Sequence, residues 1–313
     1  MVSAGVSGFR LNTSHLTLAQ LTGWLEKLYP FLESSGLALV LDLQGSKWRL
    51  GSFRPFELCK DQQVDLILAE ETELANVLPV PHPDFFQAAI LSISTPASQN
   101  QTRITMNDAK ITLQMDFASS DRVIAKVSQS GVISPRKGIV IMGSDFRIEN
   151  LSDFDRLVIM ATRNLSFVRY AISYVIDAVE MEVYRTLLGN SAFLIAKLER
   201  QSAINDAEKI ACFANELWLC RGDLGAELGM NTLAEQVYLF GNDIYTINTP
   251  VLMAGQILEH MTEHATPTRS EICYLYDTLN RGYKGVVLSD ETAIGRYPIE
   301  SCQTAALFKA GKS

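Results

Sequence analysis

The 313-residue sequence reads as an α/β protein built on a parallel sheet, with a small antiparallel β domain inserted into it. Three observations carry that reading. Continuous apolar runs of strand length alternate with segments whose apolar residues recur at helical spacing. The runs are apolar throughout, as strands buried on both faces are. Between about residues 53 and 138 the pattern changes to short two-residue alternation broken by turn clusters.

Taken in order, a strand is expected near 6–12. Residues 17–34 (LTLAQLTGWLEKLYPFLE) space apolar side chains for a helix, and 37–43 (LALVLDL) is a buried strand. TRITM, KITLQM and RVIAKVSQ supply alternating strands within 53–138, separated by PVPHP, TPASQNQ and ASSDR. Runs at 167–175, 192–197, 217–221, 249–253 and 284–289 predict five more buried strands. Helical patterns are expected at 178–188, 203–214, 232–244, 254–264, 270–282 and 298–310. The chain thus divides into 1–52, the first part of the α/β domain, 53–138, the insert, and 139–313, the second part. Seven core strands result, and the alternation suits either a doubly wound sheet or a barrel; a TIM barrel needs eight.

Composition narrows the function classes. An apolar fraction of 47% is ample for a real core. The 27 basic and 35 acidic side chains give net −8 and a pI near 5.1, against a nucleic-acid backbone as main partner. No uncharged apolar run reaches the roughly 18–20 residues of a membrane helix. The opening MVSAGVSGFR has no basic n-region followed by an apolar h-region. Five cysteines (Cys59, Cys212, Cys220, Cys273 and Cys302), widely spaced and without CxxC, read as reduced thiols of a cytoplasmic protein. His260 and His264 read as a surface pair, and Glu182 with Arg185 as an i, i+3 pair on a solvated helix face.

Polar residues cluster where the strands end. The sequence offers Arg10-Leu11-Asn12-Thr13-Ser14-His15, then Asp42-Leu43-Gln44-Gly45-Ser46-Lys47-Trp48-Arg49, then Lys197-Leu198-Glu199. Arg221-Gly222-Asp223-Leu224-Gly225 and Ser289-Asp290-Glu291-Thr292 follow. Lys197 and Glu199 fall on one side of an extended strand. Basic groups with two carboxylates at converging strand ends suit a divalent metal and a phosphorylated anion.

RLNTSH, LDLQG, LPVPHPDFFQA, SPRKGI, IAKLE, CRGDLGAEL, ATPTRSE and LSDETAIGRYP, in this order, resemble the pyruvate kinase family from residue 1 to about 310. The resemblance implies a TIM-type (β/α)8 barrel, incomplete here at its first strand, with a small antiparallel β-barrel inserted as a lid. It also implies phosphoryl transfer from phosphoenolpyruvate to ADP, giving pyruvate and ATP, with Mg2+ or Mn2+. Lys197 would neutralise the phosphoryl group in flight and the developing enolate, and Arg10 and Arg49 would contact the phosphate. Glu199 and Asp223 would hold the metal. Gly222, Asp223 and Leu224 would present backbone N–H groups to the substrate carboxylate, with Asn12, Ser173 and Gly255 also at the substrate. Asn12, Ser14 and Asp42 match the family's monovalent-cation pocket. Lys47 there resembles the K+-independent subgroup, in which a lysine ammonium stands in for the ion. Asp108, Lys137 and His15 match nucleotide-facing positions.

Several positions depart from the family pattern. Gly255-Gln256-Ile257-Leu258 stands where the family has Thr-Gln-Met-Leu, so a hydroxyl is absent. Ser173-Tyr174-Val175-Ile176 aligns with the family's S-F-V-R, so an arginine is absent, and the SFVR at 166–169 is a decoy. Asp290 replaces a glycine in LSDET. The family's first strand and its C-terminal domain have no counterpart in the sequence, so the expected partners include a second copy or another chain that completes the barrel. The same residues leave two other functions open. One is a lyase, decarboxylase or tautomerase acting on a 2-oxo acid through a metal-bound enolate; the other is a non-catalytic metabolite-binding subunit of a complex.

Overall fold

A computed structural model describes residues 1–94, 102–107, 109–144 and 151–309, the His15 side chain excepted. The strands in chain order are β1 (Gly8–Asn12), β2 (Ala38–Leu43), β3 (Phe56–Leu58), β4 (Gln63–Ile67), β5 (Val77–Pro79), β6 (Arg103–Met106), β7 (Ile111–Ala118) and β8 (Arg122–Gln129). They continue with β9 (Gly131–Ile133), β10 (Ile139–Ile141), β11 (Val168–Ile172), β12 (Phe193–Leu198), β13 (Glu216–Cys220), β14 (Val251–Ala254) and β15 (Gly285–Val287). The chain separates into two compact units. One holds Met1–Gln44, Asp153–Gly222 and Ala234–Ser313; the other holds Gly45–Ser152 and Asp223–Leu233.

The first unit is built on a seven-stranded sheet in the order β1-β2-β11-β12-β13-β14-β15, with every neighbouring pair parallel. Helices carry the chain back between successive strands, as parallel pairing requires. All six residues of β2 are buried, which explains its unbroken apolar run up to Asp42. Val40, Ala171, Ile195, Trp218, Cys220 and Ala254, from β2, β11, β12, β13 and β14, pack as one buried cluster. Because all strands run the same way, their carboxyl ends share one edge of the sheet, and the polar residues that follow each strand gather there.

Local chemistry sets the helix boundaries. Thr17 closes a capping box with Gln20 at the start of Leu18–Ser35, and Gly36 ends that helix at φ 68°. Thr268 and Glu271 do the same for Arg269–Asn280. Two expected helices differ. In place of a helix over 254–264 there is only a 3-10 turn at Glu259–Thr262, because Gly255 (φ 88°) and Gln256 (φ 52°) lie in the left-handed region, which no right-handed helix passes through. The 203–214 pattern breaks into Gln201–Asn205 and Ala207–Ile210 at Asp206. The Asp206 carboxylate accepts the Ala178 N–H at 2.9 Å and so ties the break to the start of Ala178–Leu188.

The second unit holds a six-stranded mixed sheet, β10-β6-β7-β8-β4-β5, and the two-stranded antiparallel pair β3-β9. Alternate residues of β7 and β8 point inward, so their burial follows the two-residue period. The core of this unit runs from Trp48 and Leu50 through Phe85 and Phe86 to Ile139 and Ile141.

Candidate active site

In the first unit the carboxyl ends of β1, β2, β11 and β12 converge on Lys197. Its Nζ lies 2.9 Å from Glu199 Oε1 and 3.1 Å from Asp42 Oδ1, and it donates to Ser173 Oγ at 2.9 Å. Ser173 donates in turn to Asp42 Oδ1 at 3.2 Å, and Arg10 Nη1 lies 3.3 Å from Asp42 Oδ2. Lys197, Asp42 and Glu199 are 8%, 3% and 1% exposed, so these charges are held almost out of water. Burial alone would favour a neutral amine, yet Asp42, Glu199 and Cys220 outweigh it and hold Lys197 above the ordinary lysine range. Burial likewise works against ionised Asp42, but the Lys197 and Arg10 charges keep its carboxyl below the usual range. At neutral pH Lys197 is therefore a fixed positive charge between carboxylates.

The other oxygen of Glu199 is held by backbone, since the Tyr174 N–H donates to Oε2 at 2.9 Å. Asn12 caps the 3-10 turn Thr13–His15, its side chain accepting the Ser14 N–H at 3.1 Å. Thr13 Oγ1 donates to the Asp42 carbonyl at 2.8 Å, fixing β1 to β2 at this end. Ser14 Oγ is buried and has no hydrogen-bond partner among the described residues. The His15 side chain and Asp108 lie outside the described residues. After β13, the Arg221 guanidinium bonds the Gly255 carbonyl and, at 3.0 Å, the Gln256 carbonyl, while stacking 4.8 Å from the Tyr274 ring. A Cβ at Gly255 would sit 3.2 Å from Gly222 N, whereas a Cβ at Gly222 would meet no atom within 4 Å.

In the second unit Lys47 Nζ and Asp223 Oδ1 are 2.5 Å apart. The segment carrying Lys47 and Arg49 is pinned from several sides. Trp48, 1% exposed, donates its indole N–H to Asp84 at 2.8 Å, and the Arg49 N–H donates to His82 Nε2 at 3.1 Å. The Leu50 N–H bonds the Lys137 carbonyl and the Ile139 N–H bonds the Trp48 carbonyl, at 2.9 and 3.1 Å. Arg49 Nη1 reaches the Arg136 carbonyl at 3.0 Å. Gly138 leaves room for the lysine, because a Cβ there would lie 2.5 Å from Lys47 Cε. Leu224 is fully buried, so what it can offer a ligand is its backbone. The Lys137 side chain is half-buried.

Comparison with known proteins settles the ancestry. The family model described as "Pyruvate kinase, barrel domain" matches residues 1–302. The chain belongs to the pyruvate kinase family. It is 30% identical over 305 residues to a pyruvate kinase of Agrobacterium vitis, covering 96% of this chain and 61% of that protein. It is 31% identical to one of Aeropyrum pernix, covering 98% of this chain and 65% of that one. The chain therefore spans somewhat less than two thirds of these relatives. A pyruvate kinase structure from Pyrobaculum aerophilum superposes with a TM-score of 0.78 at 27% identity, over 96% of this chain and 66% of that chain. One from Cryptosporidium parvum gives 0.80 at 22% identity, over 97% and 63%, a likeness of fold.

Pyruvate kinase motifs do two kinds of work in this chain. Glu271 of ATPTRSE caps a helix and accepts the His260 N–H at 2.8 Å. Glu291 of LSDETA is fully buried and accepts the N–H groups of Ser289 and Leu258 at 2.7 and 3.0 Å. His82 and Asp84 of LPVPHPD hold the Lys47–Arg49 segment. These four residues shape backbone, whereas Lys197, Asp42, Glu199, Arg10 and Ser173 gather charge. Two further expectations meet the structure differently. His260 and His264 do stack, 3.8 Å apart, but His260 sits on the 3-10 turn Glu259–Thr262 and His264 lies just beyond it, not on a helix. Arg185 does not pair with Glu182; its guanidinium donates to the carbonyls of Phe213, Gly189 and Ala192 and to Asn215. Its partners lie up to 30 residues away, beyond what helical spacing can reveal. The sequence names Arg221, within CRGDLG, and Tyr174 without giving either a role, and it does not single out Arg200; nothing in it marks Tyr174 and Arg200 as a pair.

Proposed function

We propose that this chain transfers the phosphoryl group of phosphoenolpyruvate to ADP in the cytoplasm, with Mg2+ or Mn2+ and without a need for K+. The observation that carries the reading is Lys197, a buried ammonium kept charged among Asp42, Glu199 and Ser173 at the carboxyl edge of a parallel sheet. In the reaction the bond from phosphorus to the enol oxygen breaks and one to the terminal phosphate oxygen of ADP forms. The enolate left behind takes a proton at C3 to give pyruvate. Little covalent work falls to the protein, so a positioned charge that meets the developing negative charge is the main contribution.

Each residue then has a role of its own. Lys197 neutralises the phosphoryl and enolate oxygens, and Arg10 and Arg49 contact the phosphate. Gly222, Asp223 and Leu224 offer N–H groups to the substrate carboxylate; the open space before Gly222 supports this. Ser173 orients Lys197, and Gly255 borders Gly222 without supplying a hydroxyl. Asn12, Ser14 and Asp42 are assigned to the monovalent-cation region, where Ser14 Oγ is buried without a partner among the described residues, and Lys47 is assigned as the charge that stands in for the ion. His15, Asp108 and Lys137 are the residues assigned to the nucleotide.

Glu199 and Asp223 are the carboxylates for the divalent ion. The donor chemistry fits, since magnesium takes hard oxygen ligands and completes its shell with substrate oxygens and water. Each carboxylate lies beside an ammonium, Lys197 or Lys47, that would share it with the ion. When bound, the ion supplies further neutralisation of phosphoryl and enolate oxygens.

Other parts of the reading are supported less directly. All five cysteines are free thiols, which suits the cytoplasm, and no helix among the described residues is long and apolar enough to cross a membrane. The sheet ends at β1 and β15, and both strands line one cavity of about 400 Å³. We assign that cavity to an eighth parallel strand that completes a TIM-type (β/α)8 barrel, supplied from outside these residues or by a second copy, with 53–138 as the inserted lid. Pyruvate formation from phosphoenolpyruvate and ADP, measured with Mg2+ in the presence and absence of K+, tests the function. Turnover that needs Lys197 and not K+ is expected; a folded protein equally inactive as wild type and as Lys197→Met overturns it.

A further inference from the structure

Tyr174 follows β11 by two residues and holds φ at 63°, a left-handed conformation that a bulky side chain resists. The residue is completely buried. Its N–H is thereby aimed at Glu199, where it binds Oε2 at 2.9 Å while Lys197 holds Oε1 at the same distance. Something must hold this turn against its preference, and Arg200, the residue after Glu199, is placed to do so. Arg200 is 0% exposed, and its guanidinium carbon lies 5.5 Å from the centre of the Tyr174 ring. The same cation acts on Glu180, whose carboxylate accepts the Ile176 N–H and the Tyr184 O–H, both at 2.7 Å. The turn is thus fastened at Ser173 by Lys197 and Asp42, at Tyr174 by the ring and the Glu199 bond, and at Ile176 by Glu180.

We propose that Arg200 and Tyr174 are positioning residues for Glu199, and that the left-handed turn they hold sets the carboxylate for a divalent cation. This rests on the assignment of Glu199 to the metal made above. A backbone N–H is a donor that neither titrates nor changes rotamer, so it fixes one oxygen and keeps the carboxylate from closing onto Lys197 with both. Without the turn, Glu199 is free to chelate the ammonium and its affinity for a cation falls. Outer-shell partners of this sort are worth on the order of 10–100-fold in metal affinity.

The test is Mn2+ binding to the full chain, followed by the electron-paramagnetic-resonance signal of free Mn2+, with circular dichroism as the check on folding. Arg200→Met is expected to weaken Mn2+ binding about tenfold or more. Arg200→Lys should recover part of the loss, and Tyr174→Phe, which keeps the ring and the turn, should stay within about twofold of wild type. In a Glu199→Gln background Arg200→Met should add nothing further, a coupling that a general loss of stability would not produce. Should Arg200→Met fail to fold, Arg200→Lys and Tyr174→Leu carry the same expectation of weaker binding. A folded Arg200→Met protein with wild-type Mn2+ affinity, where Glu199→Gln does lose affinity, overturns the positioning role alone. If Glu199→Gln itself binds Mn2+ as wild type does, the metal assignment falls and takes this proposal with it.

Discussion

Replacing Lys197 by methionine keeps most of the side-chain volume and removes only the charge. Asp42 and Glu199, 3% and 1% exposed, then lose an ammonium at 3.1 and 2.9 Å. Asp42 keeps Arg10 at 3.3 Å and Glu199 keeps the Tyr174 N–H, so neither carboxylate is wholly abandoned. Removing one partner of a buried pair costs about 3–5 kcal/mol. For a unit of this size that is a fall in Tm of roughly 6–20 °C at neutral pH. The sign of its pH dependence follows from the carboxylates. In the wild type the folded pKa of Asp42 is depressed, so its stabilisation is complete above the unfolded value near 3.8 and is lost as pH falls below it. In Lys197→Met the folded pKa of Asp42 loses its largest lowering charge and rises, and protonation relieves the penalty. The deficit between the two proteins should therefore shrink as pH is lowered from about 7 toward 4. Calorimetric scans of both proteins across this range measure it. A deficit under about 1 °C, or one constant with pH, would refute the claim that Lys197 is the charge holding these carboxylates.

Three other outcomes follow from the same geometry. Gly138→Ala places a Cβ 2.5 Å from Lys47 Cε, so denaturant titration should show a loss of about 1–3 kcal/mol, and an unchanged midpoint would mean Lys47 moves aside freely. Gly255→Thr restores the family's hydroxyl at φ 88° with a Cβ 3.2 Å from Gly222 N; it should cost about 1–3 kcal/mol and not raise turnover, which a steady-state assay with a urea titration checks. Lys47→Ala removes the ammonium 2.5 Å from Asp223, and turnover without K+ should fall at least tenfold and recover in part with K+ but not with tetramethylammonium. Recovery with both cations would point to ionic strength rather than to a specific pocket.

The strands of the first unit were legible because a parallel strand buried on both faces has little choice but to be apolar, as all six positions of β2 are. The charge cluster was legible for the complementary reason. A lysine, two carboxylates and an arginine at the ends of such runs have no apolar explanation, and parallel strands deliver them to one edge. What escaped depends on information that periodicity does not hold. Helical spacing over 254–264 cannot register that Gly255 and Gln256 sit in left-handed backbone clamped by Arg221. Tyr174 would be read as one more core aromatic, since nothing local marks the sign of its φ. Arg200 carries a charge but no partner at a fixed spacing, so its burial against Tyr174 emerges only from the fold.

Lys47 shows how much scaffold one charge requires. A lysine is a flexible stem ending in a point charge, and rotamer freedom alone would blur its position. Here the stem is pressed into the space that Gly138 leaves open, and its neighbour Trp48 is anchored by Asp84. The backbone that follows is fixed at Arg49 by His82 and at Leu50 by the Lys137 carbonyl. His82 and Asp84 of LPVPHPD, with the Lys137 carbonyl and Gly138 of SPRKG, thus act as the mould of the 46–50 segment. An ion held by loose ligands can adjust to them, whereas a tethered ammonium must be delivered by its own backbone. It follows that substitutions in this mould, at His82 or Asp84, should disturb turnover through Lys47 and Arg49 without any contact to substrate of their own.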